Sequence, residues 1–123
     1  MTLIEALNRI DTLKPNTYTQ RDKIRWLSML DGIIKHELID THEGADTVSF
    51  VGYDESTNLT IELLVPAPYD DIYIKWLETR IDYTNGEYAR YNNSLQAYSD
   101  VYSDFCKYYN RMHMPKGKKS WVF

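Results

Sequence analysis

The sequence is poor in cysteine and in clustered glycine, and both scarcities exclude kinds of chemistry. Cys106 is the only cysteine, so it cannot form a disulfide within the chain, and we expect a reducing environment. The five glycines stand singly along the sequence, whereas loops that bind phosphate groups concentrate their glycines. Nucleotide chemistry is therefore not expected.

Long apolar runs are also missing. The longest one, residues 63–67, has five residues and includes a proline, whereas a membrane-spanning helix needs roughly 18 consecutive apolar residues. Residues 1–8 lack the basic and then apolar order of a signal peptide. With 43% hydrophobic and 26% charged residues in a chain of 123, the sequence predicts one soluble, cytoplasmic globular domain.

The charge is divided unevenly between the body and the C-terminus. The net charge is −4, but Lys116, Lys118 and Lys119 are among the 14 basic residues, which leaves residues 1–115 with a net charge of −7. An acidic body repels a phosphate backbone, so sequence-specific nucleic-acid binding is not expected. We predict a helical domain over residues 1–114 and a basic, aromatic tail over residues 115–123.

Two helices are predicted in the N-terminal third. Thr2 and Glu5 have the spacing of a capping box, in which each side chain accepts a hydrogen bond from the other residue's backbone N–H. Apolar residues then recur at helical spacing until Leu13, shortly before a proline. Thr19 predicts the cap of a second helix that ends near Ile39, with an apolar arc broad enough to be covered on two sides.

Residues 47–65 change to an alternating pattern. Apolar residues at every second position flank the polar run from Asp54 to Asn58, which predicts a β-hairpin inserted between helices two and three. An isolated hairpin is marginally stable. We therefore expect it to pack on the helices, with docking onto a partner strand as the alternative.

The C-terminal half has an apolar seam with alternating steps of three and four residues, which is a heptad pattern. The turn-forming pair Asn85 and Gly86 interrupts it without changing its phase. We therefore favour one long helix kinked near Gly86, with two helices meeting there, capped by Thr84 and Glu87, as the alternative. The fold class predicted is mainly α, a small helical bundle. The seam consists of Ile74, Leu77, Ile81, Thr84, Tyr88, Tyr91, Leu95, Tyr98, Tyr102, Phe105, Tyr109 and Met112.

Catalytic and metal-binding patterns are incomplete. His36 and Glu37 begin the zinc-protease pattern H-E-x-x-H, but Asp40 stands where the second histidine belongs. His42 follows six residues after His36, about 240° around a helix. Cys106 and His113 are seven residues apart, too far for a thiolate–imidazole pair on one helix. We expect no enzymatic activity, metal or cofactor.

Tyrosines are the most abundant side chains suited to binding another protein. Nine of the eleven lie between Tyr69 and Tyr109, and interfaces favour tyrosine because it offers a large contact area at a small entropy cost. The tyrosines on the seam are predicted to be core. The predicted interface residues are two tyrosines that lie off the seam, together with tail residues: Tyr83, Tyr108, Lys116, Lys118, Lys119, Trp121 and Phe123.

Several segments spread over the chain are informative when taken in order. They are Leu13-Lys14-Pro15-Asn16, Lys23-Ile24-Arg25-Trp26-Leu27 with Asp31-Gly32, Leu63-Leu64-Val65-Pro66 with Pro68-Tyr69, and Ile81-Asp82-Tyr83 with Glu87 and Tyr91-Asn92-Asn93. In their order and spacing these segments resemble the head-tail connector or head-completion proteins of tailed phages and prophages.

The resemblance implies a structural virion protein that assembles as a ring on the portal protein and joins head to tail while DNA passes. Its partners would be further copies of itself, the portal and a tail-side connector or stopper protein. It would reside in the bacterial host's cytoplasm during assembly and then at the head-tail junction. The alternative is a cytoplasmic helical adaptor or regulatory protein that acts through a homodimer interface.

Overall fold

The computed structural model describes residues 1–117, so the predictions for Lys118, Lys119, Trp121 and Phe123 lie outside the described residues. The predicted mainly helical class is confirmed. Four α-helices form a bundle: α1 (Leu3–Leu13), α2 (Gln20–Ile34), α3 (Ile72–Thr84) and α4 (Tyr88–Met112). The chain leaves α2 through a π-helical turn, Lys35–Ile39, and short 3-10 turns lie at Ala45–Thr47 and Tyr69–Asp71.

The predicted starts of the first two helices are confirmed. The Thr2 hydroxyl accepts a hydrogen bond from the Glu5 N–H at 3.3 Å, and the Glu5 carboxylate accepts one from the Thr2 N–H at 3.3 Å. The Thr19 hydroxyl accepts from the Asp22 N–H at 3.1 Å. These side chains satisfy N–H groups that a helix start leaves without partners.

α3 is the central element of the bundle, because it packs against each of the other three helices. Twelve large side chains in the core are less than 2% exposed, and half of them belong to α3 or to the approach to it. Among the described residues, no helix is both long and apolar enough to cross a membrane. The twelve are Leu3, Ile10, Leu27, Leu30, Ile34, Val65, Ile72, Tyr73, Ile74, Leu77, Ile81 and Phe105.

The predicted β-hairpin is wrong: within residues 1–117 there is no β-strand, only two isolated bridges. The turn at its centre does form, because the Asp54 carboxylate accepts from the Ser56 N–H at 2.8 Å. The two arms do not pair with each other. Instead the second arm bonds to the N-terminus, with Leu3 N–H donating to the Ile61 carbonyl at 3.0 Å.

The first turn of α1 explains this exchange of partners. The initial N–H groups of a helix have no carbonyl within the helix to bind. Ile4 N–H donates to the Leu59 carbonyl at 2.9 Å, and Leu63 N–H donates back to the Met1 carbonyl at 3.0 Å. The second arm therefore supplies acceptors to α1, while the first arm lies on α2, where Tyr53 N–H donates to the Ser28 hydroxyl at 2.9 Å.

The favoured single long helix is also wrong, and the two-helix alternative is confirmed. Gly86 has a φ of +73°, which side-chain-bearing residues adopt only with strain. Its N–H donates to the Tyr83 carbonyl at 3.0 Å, and Glu87 N–H donates to the Asp82 carbonyl at 3.0 Å. This Schellman motif ends α3. The expected Thr84 cap does not form, since the Thr84 hydroxyl donates to the Arg80 carbonyl.

The seam is only partly buried as a result. Its α3 positions Ile74, Leu77 and Ile81 lie in the core, but on α4 only two residues are fully buried, Phe105 and Tyr109. The other seam tyrosines, predicted to be core, are exposed or partly exposed: Tyr88 (66% exposed), Tyr91, Tyr98 and Tyr102. Because α4 folds back along α3, it has one neighbouring helix along much of its length.

A buried carboxylate fixes the connecting segment, residues 48–66, to the helices. Asp31 of α2 is fully buried and accepts from the Tyr53 hydroxyl at 2.6 Å and from the Tyr73 hydroxyl at 2.7 Å. It also accepts from the Leu64 N–H at 3.1 Å. Burial raises the pKa of Asp31, and the three donors partly offset that effect.

A candidate protein-interaction surface

A continuous group of aromatic rings runs along α3 and α4, in which Trp76 is buried and the tyrosines are partly or largely exposed. The Trp76 and Tyr98 ring centroids are 5.1 Å apart, and those of Tyr98 and Tyr102 are 5.9 Å apart. At the other end of this group the Tyr83 and Tyr91 centroids are 5.2 Å apart. We call these five rings, together with Arg80, the aromatic face.

Arg80 lies among these rings. Its guanidinium carbon is 4.9 Å from the centroid of the Trp76 ring and 5.2 Å from that of Tyr83, within the range of cation–π attraction. Its Nε atom is buried and has no hydrogen-bond partner among the described residues. None of the ion pairs of residues 1–117 includes Arg80.

Glu37, on the π-helical turn that follows α2, borders the same face. Burial raises the pKa of Tyr102 to about 12, and the neighbouring Cys106 and Glu37 act in the same direction. Burial also raises the pKa of Tyr98, with Glu37 adding to the rise and Arg80 opposing it. Tyr98 is therefore within electrostatic range of one negative and one positive side chain.

The composition of the aromatic face suits contact with protein. Trp, Tyr and Arg are the residues that dominate binding energy at protein interfaces, since their large rigid side chains fill pockets and displace water. A cation held on aromatic rings attracts a carboxylate, and the planar guanidinium binds it through two parallel hydrogen bonds. This composition makes the aromatic face a candidate surface for contact with another protein.

The predicted interface tyrosines are not brought together. Tyr83 is 52% exposed and belongs to the aromatic face. Tyr108 is partly buried near the opposite end of α4, where its ring packs against Tyr69 with centroids 4.8 Å apart. Lys116 is exposed, and its N–H donates to the Thr41 carbonyl at 2.9 Å. The tail predicted from residue 115 thus begins in contact with the helical body.

Sequence reasoning missed Arg80 and Trp76. Both lie outside the heptad seam, but they are four residues apart on one helix, a spacing that places side chains side by side. A search for aromatic and basic residues at this spacing identifies the pair. No local pattern indicates that Arg80 lacks an acceptor, because that depends on where α4 and the other helices place their carboxylates.

The residues of the incomplete catalytic patterns are separated in space or engaged elsewhere. His36 is exposed, whereas His42 is buried, with its ring nitrogens 2.6 Å from the Leu38 carbonyl and 2.6 Å from the Asn110 amide oxygen. Burial raises the pKa of the Cys106 thiol, which disfavours the nucleophilic thiolate. Residues 1–117 contain no group of three or more His, Cys, Asp or Glu side chains placed to hold a metal ion.

Comparisons with protein-family models, with curated proteins and with solved structures found no match to this chain.

Proposed function

We propose that the chain is a subunit of the head-tail connector of a tailed phage or prophage and acts by contact between proteins, without enzymatic activity. Copies assemble as a ring on the portal protein, meet a tail-side connector or stopper protein, and leave a channel for DNA. The observation that carries the protein-contact role is the aromatic face with its unpaired Arg80. The assignment to a connector rests on the sequence segments described above.

Those segments supply contacts that hold the fold together, which supports the proposal. The Lys14 ammonium lies 2.7 Å from a carboxylate oxygen of Asp82, which is fully buried. The Lys23 ammonium lies 2.6 Å from Asp11, and Asp31 binds the Leu64 N–H. A resemblance confined to surface positions would say little about architecture. One that covers framework residues supports a shared fold and, through it, a shared mode of assembly.

The charge of the chain is compatible with a channel for DNA. The net charge is −4 and that of residues 1–115 is −7, although the exposed residues of α4 include Arg90, Lys107 and Arg111 beside Asp100 and Asp104. Protein binds DNA tightly when its basic groups displace counterions from the phosphates. A channel wall with few basic groups displaces few counterions, so DNA gains little free energy by adhering to it and slides past.

The proposal is tested by mixing the purified full-length chain with the purified portal oligomer encoded by the same genome. We expect the two to co-elute, and micrographs to show an added ring-shaped layer on the portal. A stable dimer that does not bind the portal would contradict the connector role and favour the cytoplasmic adaptor instead.

A shortened chain in the same experiment tests the tail as the portal anchor. Truncation after Gly117 removes the Lys118, Lys119, Trp121 and Phe123 side chains but retains the contacts of Met114 and Lys116 with the body. We expect this variant to fold and to lose co-elution with the portal. Full retention of portal binding would exclude the tail as the anchor and leave the ring to be held by the helical body.

A further inference from the structure

We infer that Arg80 of one copy pairs with Glu37 of the next copy, and that the aromatic face is the surface between them. The inference rests on the proposed ring and goes beyond it by naming the contact surface and the charged pair.

The first step is that Arg80 has no acceptor among residues 1–117. Its Nε atom is buried without a hydrogen-bond partner there, and no carboxylate of these residues forms an ion pair with it. Buried polar groups are nearly always hydrogen-bonded, because losing water without gaining a partner is unfavourable. Trp76 and Tyr83 hold the guanidinium in place on their rings, where a carboxylate of a second copy would supply the acceptor.

The second step is that the same face offers a suitable acceptor at another point of its border. Glu37 is exposed and has no ion-pair partner among the described residues. The turn that carries Glu37 lies beside α4, because the Leu38 carbonyl is 2.6 Å from one nitrogen of the His42 ring and the other nitrogen is 2.6 Å from the Asn110 amide oxygen. The Arg80 side of one copy is therefore complementary in charge to the Glu37 side of another copy.

The third step concerns the overall charge of the chain. Copies with a net charge of −4 repel one another. A contact between copies is favoured where it joins opposite charges over apolar area, and the aromatic face provides that combination. A contact in which the Arg80 side of one copy meets the Glu37 side of the next uses two different patches. Such head-to-tail contacts form a closed ring when the rotation between successive copies closes, as the proposed ring on the portal requires.

Charge reversal with rescue tests the pair. Arg80→Glu and Glu37→Arg are prepared singly and together, and association is measured for the chain alone by sedimentation and for the chain on its portal oligomer by co-elution. Each single change places like charges together and should weaken association by roughly tenfold or more. The double variant restores opposite charges and should return association close to the wild-type value.

Matched controls separate this effect from general charge and from misfolding. Arg111→Glu and Glu43→Arg make the same charge changes at exposed positions outside the aromatic face and should leave association unchanged. Arg80→Lys keeps the charge without the planar guanidinium and should weaken association less than Arg80→Glu. Circular dichroism melts show which variants fold, and the mixture of the two folded single variants should associate even though neither does so alone.

The outcomes distinguish the pair from the connector role. If every variant associates as the wild type does, or if the double variant is as defective as the single ones, the Arg80–Glu37 pair is overturned. Portal binding by the wild type would still support the connector role. Rescued self-association without any portal binding supports the pair and overturns the connector role. A wild-type chain that neither self-associates nor binds the portal overturns both.

Discussion

Asp31 is the residue on which the packing of the connecting segment depends. Its carboxylate accepts hydrogen bonds from two tyrosine hydroxyls and one backbone N–H, and it is fully buried. The Tyr73 hydroxyl extends the network, because it also accepts from the Val65 N–H at 2.7 Å. One side chain therefore joins α2, α3 and both arms of the segment that replaces the predicted hairpin.

Replacing Asp31 should destabilise the protein in a graded way. Asp31→Ala leaves two hydroxyls and one N–H buried without their acceptor and should cost about 3–5 kcal/mol in the free energy of unfolding. Asp31→Asn retains one acceptor oxygen and should cost about 1–3 kcal/mol. Urea unfolding measures both. Asp104→Asn, at an exposed position on α4, is the control and should change stability by less than about 0.5 kcal/mol.

The pH dependence of stability should also change with Asp31→Asn. Burial raises the pKa of Asp31 above its ordinary value of 3.8, so the folded protein retains this proton to higher pH than the unfolded chain does. Wild-type stability relative to Asp31→Asn should therefore be greatest below pH 3.8 and fall as pH rises through the folded-state pKa. A difference that grows with pH would mean that the carboxylate is stabilised as the anion.

Gly86 sets the geometry of the element boundary between α3 and α4. Its left-handed φ of +73° allows the Schellman motif to end α3. Gly86→Ala should cost about 1 kcal/mol or somewhat more, even though nothing lies within 4 Å of the added Cβ. Thermal or urea unfolding measures the change.

Gly32→Ala is the matched control for Gly86→Ala. Gly32 lies inside α2, and an added Cβ would be 3.7 Å from a Phe50 ring carbon, an ordinary contact. This change should be neutral or stabilise by up to about 1 kcal/mol, because alanine favours the helix. Two changes of the same sign would contradict the assignment of strain to Gly86.

The elements that the sequence predicts well depend on a few adjacent residues. Thr2 and Glu5 cap α1, and the turn at Asp54 closes on itself, because all partners lie within four residues. The pairing of the arms could not be predicted in this way. The carbonyls of Leu59 and Ile61 accept hydrogen bonds from N–H groups of α1 more than fifty residues away. An alternating pattern indicates which side chains face inward, but it does not indicate which segment pairs with the backbone.

The heptad seam led to the wrong prediction of one long helix for a related reason. Its phase survives the turn at Gly86 because both helices need an apolar stripe where they face each other in a helical hairpin. The pattern is therefore common to one long helix and to two antiparallel ones, and Asn85-Gly86 was the decisive signal. Of the aromatic face, only Tyr83 is among the interface residues that the sequence predicts, because the setting of Arg80 depends on the packing of α3 against α4.

At the scale of the whole molecule, a closed helical core carries one helix, α4, on which the proposed contact between copies depends. The core of α1, α2 and α3 is closed by the Asp31 and Asp82 contacts. α4, by contrast, has only two fully buried residues along 25 positions. Self-association through its partly exposed rings would bury area that the single chain leaves open.

The most direct measurement of this claim is cross-linking of the chain on its portal. Thr84→Cys, one turn from Arg80, and His36→Cys, beside Glu37, are both exposed positions and leave the charged pair intact. They are combined with Cys106→Ser, and the variant is bound to the portal oligomer and treated with a short bismaleimide reagent. A ladder of products from dimer upwards is expected, because each copy contacts two neighbours through different patches. A product limited to the dimer, or no cross-linked product from a portal-bound chain, would contradict a ring joined through the aromatic face.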